Sequence, residues 1–276
     1  MIAYIRETGL LTDALIRAYV AAQQIQIDRD FGPIWNVKDE CVFVPPGSVI
    51  PDGARQVIFK DRSDQTDATG YHTGTGTPVA FVFAQDCIDD GIAWAVTASH
   101  ETLEMLADPL CSRTQRVTID GVTWDYAWEV CDAPEDDAFA YAINGIHMTD
   151  FVLPNWFIPD APGPYSFRDA LRAPLALAEG GYIGRREVAP SPGTWAQVFA
   201  DKPGPRQRKG PLSRTMRRFA AAATAPHRSV PSQISEALQE AGGVARGLAE
   251  GAVALPLIAG AMVVGEITGK PFSIEN

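Results

Sequence analysis

Two periodicities alternate along this chain. From Leu11 to Gln26 apolar residues recur at helical spacing, at Leu11, Leu15, Ala18, Tyr19, Ala22 and Ile25, which predicts an amphipathic helix; Thr12 and Asp13 supply its start signals. The whole N-terminal stretch "MIAYIRETGLLTDALIRAYV" reads as helix-like, and Arg6, Glu7, Asp13 and Arg17 within it make it a poor signal peptide. "CVFVPPG" and "RQVIFKD" read as short strands separated by Pro/Gly turns. Residues 62–77 form a polar loop, and "PVAFVFAQD" is a strong strand opened by Pro78.

A second helix is predicted from Ile92 to Ala107, with Ile92, Val96, Ser99, Leu103, Leu106 and Ala107 as one buried stripe. Pro109 disfavours helical geometry at the residue before it, so the helix stops near Asp108. "VTIDGVTWDYAWEVCD" alternates around an Asp-Gly pair and reads as a hairpin. "FVLPNWFIPDAPGPY" is Pro- and aromatic-rich, and reads as an ordered covering loop. The globular pattern fades near Phe199. Three parts result: a domain over 1–199, a linker arm over 200–231 and a small-residue helical, apolar tail over 232–276.

Charge sharpens that division. Residues 1–200 carry 13 Lys+Arg against 28 Asp+Glu, whereas residues 201–276 carry 10 against 6. The acidic part repels nucleic acid, so only the basic arm could attract phosphates. The apolar run at 251–265 has 15 residues with Pro256 inside it, short of the roughly 20 a membrane span needs; docking on other protein subunits is the expected role of 200–276. Cys41, Cys87, Cys111 and Cys131 form no C-x-x-C pair, so they are no zinc ribbon. Reduced, buried thiols are expected, a Cys111–Cys131 disulfide requiring an oxidising compartment. The expected location is the cytoplasm or an assembled virion.

The chemistry lies in "SHETLEMLADP". Residues four apart on a helix share a face one turn apart, so His100 and Glu104 can meet one ion. Glu101 is placed to polarise a water bound to it, the logic of His-Glu-x-x-His hydrolases. Glutamate is a competent zinc ligand, but a carboxylate in place of imidazole makes the site harder and more open to manganese, iron or calcium. For the third ligand Glu129, on the strand after the helix, is the first candidate. Asp132 follows, or it could instead orient His100 from behind. Asp108 lies about 12 Å along a continuous helix from His100, too far to share its ion, and serves in the surroundings as the helix stop. His72 and His147 are the remaining histidines that could contribute. The alternative is an ordinary amphipathic helix whose acidic face is solvated. From Val117 to Phe167 nine acids occur with no Lys or Arg, an anionic setting that would favour neutral or basic peptides. A calcium module is disfavoured because that segment lacks the D-x-[DN]-x-[DN]-G pattern.

Three segments, "SHETLEMLADP", "WDYAWEVCDAP" and "NGIHMTDFVLPNWFIPDAPGPY", together resemble a zincin-type peptidase family of bacteria and tailed phages. Its members carry a Ser-His-Glu-x-x-Glu helix ending in Asp-Pro, then a Trp/Tyr-rich strand leading to a Glu-x-x-Asp pair. The resemblance covers residues 90–167, is weaker over the rest of 1–199 and is absent from 200–276. It implies an α/β (α+β) zincin-like domain of helices packed on a mixed sheet, with the "PVAFVF" strand near the site. By position, His100, Glu101 and Glu104 match the helix motif, and Glu129 and Asp132 the later pair. The implied activity is peptide or protein hydrolysis with zinc or another divalent metal. The competing expectation is a virion-type assembly component that uses the same scaffold, with the arm and tail for docking.

Overall fold

The computed structural model describes residues 1–65, 68–74, 76–188 and 193–200; the basic arm and apolar tail expected beyond residue 200 lie outside the described residues. The chain opens with β1 (Ile2–Arg6) and α1 (Asp13–Ile25), which continues through a π-helical turn, Gln26–Phe31, into α2 (Gly32–Trp35). Strands β2 (Cys41–Val44), β3 (Arg55–Lys60), β4 (Gly70–Thr73) and β5 (Val79–Phe83) follow, then α3 (Ala84–Asp89) and α4 (Trp94–Ala107). The remainder is mostly β: β6 (Thr114–Ile119), β7 (Val122–Ala127), β8 (Tyr141–Ile143), β9 (Ile146–Met148), β10 (Tyr182–Glu187) and β11 (Ala196–Phe199).

β1, β2, β3 and β5 are parallel and β4 pairs antiparallel with β5 at the edge, giving the order β2-β1-β3-β5-β4. A separate antiparallel sheet runs β11-β10-β7-β6, and β8-β9 is a small hairpin. One mixed sheet under helices beside an antiparallel sheet makes the class α+β. Parallel β1 and β2 need a crossover, and α1 supplies it.

Two expectations are corrected at the N-terminal end. Residues 2–6 are a strand of the main sheet rather than part of a helix, because Ile2 and Tyr4 are buried on one face and Ala3 and Ile5 on the other. The buried face of α1 is Ile16, Tyr19, Val20, Ala22 and Gln23, whereas Leu15 is 45 % exposed and Ala18 is also exposed. The face is set by Tyr19, whose ring meets Tyr4, Phe59 and Trp94 edge-on or tilted. Thr12 does cap this helix, its hydroxyl accepting from the Leu15 amide.

Strand parity decides what the helices see. In register across the main sheet, Phe43, Tyr4, Val57, Ala80 and His72 form one row. Side chains directly opposite one another share a face, and Tyr4 places this row under the helices, its hydroxyl 3.4 Å from Thr102 Oγ1 on α4. The other face carries a smaller cluster of Ala3, Ile5, Val44 and Ala54.

The expected stop of α4 holds: Asp108 leaves helical geometry while its amide still bonds to the Glu104 carbonyl. At the other end, the Ala93 amide donates to Asp137 from the acidic segment. The hairpin forms around Asp120 and Gly121, both at positive φ, as a type I′ turn requires. Residues 151–165 are ordered and largely irregular, tied by the Leu153 amide to the Tyr165 carbonyl and by Trp156 Nε1 to the Ala176 carbonyl. All four cysteines are free thiols. Among the described residues no helix is long and apolar enough to cross a membrane.

Candidate metal centre

Helix α4 is buried all round: every residue from Ala95 to Ala107 is buried, with Glu104 at 0 % and Glu101 and His100 each at 3 % exposure. A solvated acidic face is therefore excluded. Ionisable groups are almost never fully buried without a partner or an ion. The sequence placed these three at the helix centre, and the fold encloses them.

The carboxylates that meet the helix come from the segment just past β7. Glu129 is beyond the strand's last residue, Ala127, rather than on the strand as expected. This segment is held by its backbone: the Val152 amide donates to the Val130 carbonyl, Ala178 to Ala133, and Tyr182 to Asp132. Gly181 is needed there, since a Cβ at that position would fall on the Ala133 carbonyl. The Cys131 amide in turn donates to Glu104 Oε1 at 3.3 Å.

A third element contributes His72, on β4, within the stretch expected to be a polar loop. β4 is four residues long, begins at Gly70 and is followed by Gly74, too little alternation to register as a strand. It lies against α4 because Gly70 has no side chain. A Cβ there would sit 2.6 Å from Thr97 Cγ2 and 3.1 Å from Glu101 Cγ. Gly74 likewise abuts the Leu110 backbone, where an added Cβ would overlap it. Parity then turns His72 toward the helix, with Nδ1 at 3.3 Å from Glu101 Oε2 and 3.8 Å from Glu104 Oε2.

Two groups of donor atoms result, each within a 4.8 Å span: His100, Glu104 and Asp132, and His72, Glu104 and Glu129. His100 Nε2 is 3.2 Å from Glu104 Oε1 and 3.1 Å from Asp132 Oδ1. Asp132 Oδ1 is buried without a hydrogen-bond partner among the described residues, so this contact has the distance of a hydrogen bond but not its alignment. Donors converging beside one another, rather than at one another, suit a cation between them. For ligands at roughly 2.1 Å, tetrahedral or octahedral angles put neighbouring donors about 3–3.4 Å apart.

Two assignments from sequence change. Asp132 faces the same imidazole nitrogen as Glu104, and a carboxylate orienting the ring from behind would face the other; His100 Nδ1 has no partner among the described residues. Glu129 groups with His72 and not with His100. Asp108 stays at the helix end, where Oδ2 accepts from the Arg113 amide at 2.8 Å. His147 is exposed on β9 and outside the cluster. His72 is the donor that sequence reasoning left among mere possibilities; its signal was "GYHTG", a histidine between two glycines just before a strong strand.

The field at the cluster is negative. Burial alone would lower the His100 imidazolium, but Glu104, Asp132 and Glu101 outweigh it and hold its pKa well above the usual histidine value. Burial lifts the Glu104 carboxyl well above its ordinary range, with Asp132 and Glu129 adding to the rise and His100 opposing it. Asp132 and Asp108 are raised too, each chiefly by burial. Acids and base alike thus hold protons more tightly than in water, as expected where a cation is wanted. Two other acids of the 117–167 segment are engaged elsewhere: Asp125 pairs with Arg116 and Arg186, and Asp150 accepts from the Phe151 and Arg168 amides.

The fold and cluster define an α+β protein with a buried histidine–carboxylate centre able to hold a metal ion. No family model, curated protein or solved structure matches the chain.

Proposed function

We propose that the chain is a metal-dependent hydrolase of the peptidase type, built as a zincin-like domain. The observation that supports it is the convergence of Glu104 and Asp132 oxygens on His100 Nε2, at 3.2 and 3.1 Å, beside Glu101 on the same helix. His100, Glu104 and Asp132 would hold zinc or another divalent ion, with Glu129 close by. Bound there, the ion supplies Lewis acidity that lowers the pKa of an attacking water. Glu101 accepts the water's proton and passes it to the leaving amine. His72 Nδ1 lies 3.3 Å from Glu101 Oε2, at the edge of the same centre. The substrate class is a peptide or protein chain. Glu101→Gln should reduce hydrolysis of a mixed peptide library by about 10²–10⁴-fold, the usual worth of a general base, while bound metal stays at its wild-type level. Equal cleavage by the variant would sink the mechanism.

One observation favours a second reading. Structural metal sites are closed and catalytic ones keep an open position, and here Glu104 and His100 are 0 % and 3 % exposed. On that reading the metal stabilises an assembly component of virion type, which docks on other subunits through residues 200–276. Metal-loaded protein that cleaves no member of the library, and whose oligomeric state in size-exclusion chromatography falls when 201–276 is deleted, would favour this scaffold role.

A further inference from the structure

We infer that the cluster holds two divalent cations bridged by the Glu104 carboxylate, His100 and Asp132 completing one site and His72 and Glu129 the other. The inference rests on reading the cluster as a metal centre and specifies how many ions it takes.

The two oxygens of Glu104 serve different histidines. Oε1 lies 3.2 Å from His100 Nε2, and Oε2 lies 3.8 Å from His72 Nδ1. A carboxylate so placed can give one oxygen to each of two ions. Two-metal sites hold their ions about 3.5–4 Å apart, a separation that one carboxylate spans. The two donor sets also match in kind: each has one imidazole, the shared Glu104 and one further carboxylate, with its donors inside 4.8 Å. Three protein ligands per ion leave positions for water in either set. The nitrogen and oxygen donors suit manganese, iron or zinc better than a soft cation.

Charge favours two ions over one. Glu101, Glu104, Glu129 and Asp132 meet in one buried space, and once bound cations displace their protons these four carboxylates carry about −4 between them. One divalent ion leaves about half of that charge; two balance it. The second site is also built rather than incidental. His72 is buried, faces the helix by strand parity, and sits between two glycines whose lack of side chains sets the approach of β4 to α4 and the loop beyond it.

The test is cation stoichiometry of the full chain. Protein stripped with a chelator is reloaded with manganese, desalted and analysed for metal, with Glu104→Gln as the baseline for surface binding. The inference expects two ions above that baseline, falling to one in His72→Ala and to one in Asp132→Asn. It also expects an exchange-coupled multiline paramagnetic resonance spectrum from the wild type, which needs no variant to fold. One ion, unchanged in His72→Ala and lost in Asp132→Asn, would overturn the two-ion centre and leave the single-metal reading standing. No ion above baseline would overturn both. Two ions giving only isolated six-line spectra would overturn the bridge.

Discussion

Replacing Gly70 by alanine tests whether close approach of β4 to α4 builds the cluster. The added methyl would lie 2.6 Å from Thr97 Cγ2, 3.1 Å from Glu101 Cγ and 3.1 Å from the Phe81 carbonyl oxygen. Carbon atoms rest about 3.5–4.0 Å apart, so the first contact must open by about 1 Å. Thr97 cannot simply turn away. It is buried, β-branched and stiff on a helix, and its hydroxyl accepts from the Cys87 thiol. The strand must retreat instead, at the about 1–3 kcal/mol typical of overpacking. At this chain length that is a fall in Tm of about 2–4 °C per kcal/mol. The retreat also carries His72 away from Glu101 and Glu104, which lie at 3.3 and 3.8 Å. Disturbing the groups that position a metal site costs about 10–100-fold in metal affinity. Denaturant unfolding and manganese titration read the two effects, with Gly9→Ala as control, since a Cβ there meets nothing within 4 Å. Unfolding within about 0.5 kcal/mol of wild type, the range of an innocuous surface change, together with unchanged cation affinity, would refute the argument.

Asp150 gives a pH prediction. Burial raises its carboxyl from 3.8 to about 6, against its hydrogen bonds from Ser166, Arg168 and Phe151. The folded state therefore binds this proton more tightly than the unfolded chain. Its penalty is absent below the unfolded value, grows between pH 4 and 6 and is complete above 6. Asp150→Asn, which keeps the Oδ1 acceptor used by both amides, should match wild-type stability near pH 4 and exceed it by about 1–3 kcal/mol at pH 7.5; denaturant midpoints that shift equally at both pH values would contradict this. Thr12→Ala removes the hydroxyl that caps α1 and should cost about 1 kcal/mol in the same assay. No loss would mean that water caps the helix equally well.

The legible parts of this fold are those where one element carries its own period. α1, α4 and the β6-β7 hairpin follow from spacing, a cap, a proline and an Asp-Gly pair, all local signals. What stayed hidden depends on partners. β1 is five residues long, and with helix-like neighbours in sequence it was absorbed into them; only its pairing with β2 and β3 makes it a strand. The same holds for β4, whose pairing with β5 lifts four residues out of a polar stretch. The buried face of α1 slipped because Tyr19 answers to Tyr4, Phe59 and Trp94, which the helix's own sequence cannot display.

The candidate site divides along the same line. His100, Glu101 and Glu104 share a helical turn, so their proximity was computable from spacing alone. That Glu129 and Asp132 return to the helix was inferable from the hairpin between them. Which carboxylate meets which histidine was not, because that depends on where the chain leaves β7 and on the backbone bonds from Ala178 and Tyr182 that fix the turn at Asp132 and Ala133. His72 shows the consequence. A shift of one residue in β4's register would send its ring to the opposite face of the sheet, and Glu104 Oε2 would lose the histidine now 3.8 Å away. The two glycines around His72 fit only the observed register: at Gly70 and Gly74 a side chain would run into α4 and Leu110. The steric requirement that brings the strand against the helix therefore also selects the parity that turns a second histidine toward Glu104.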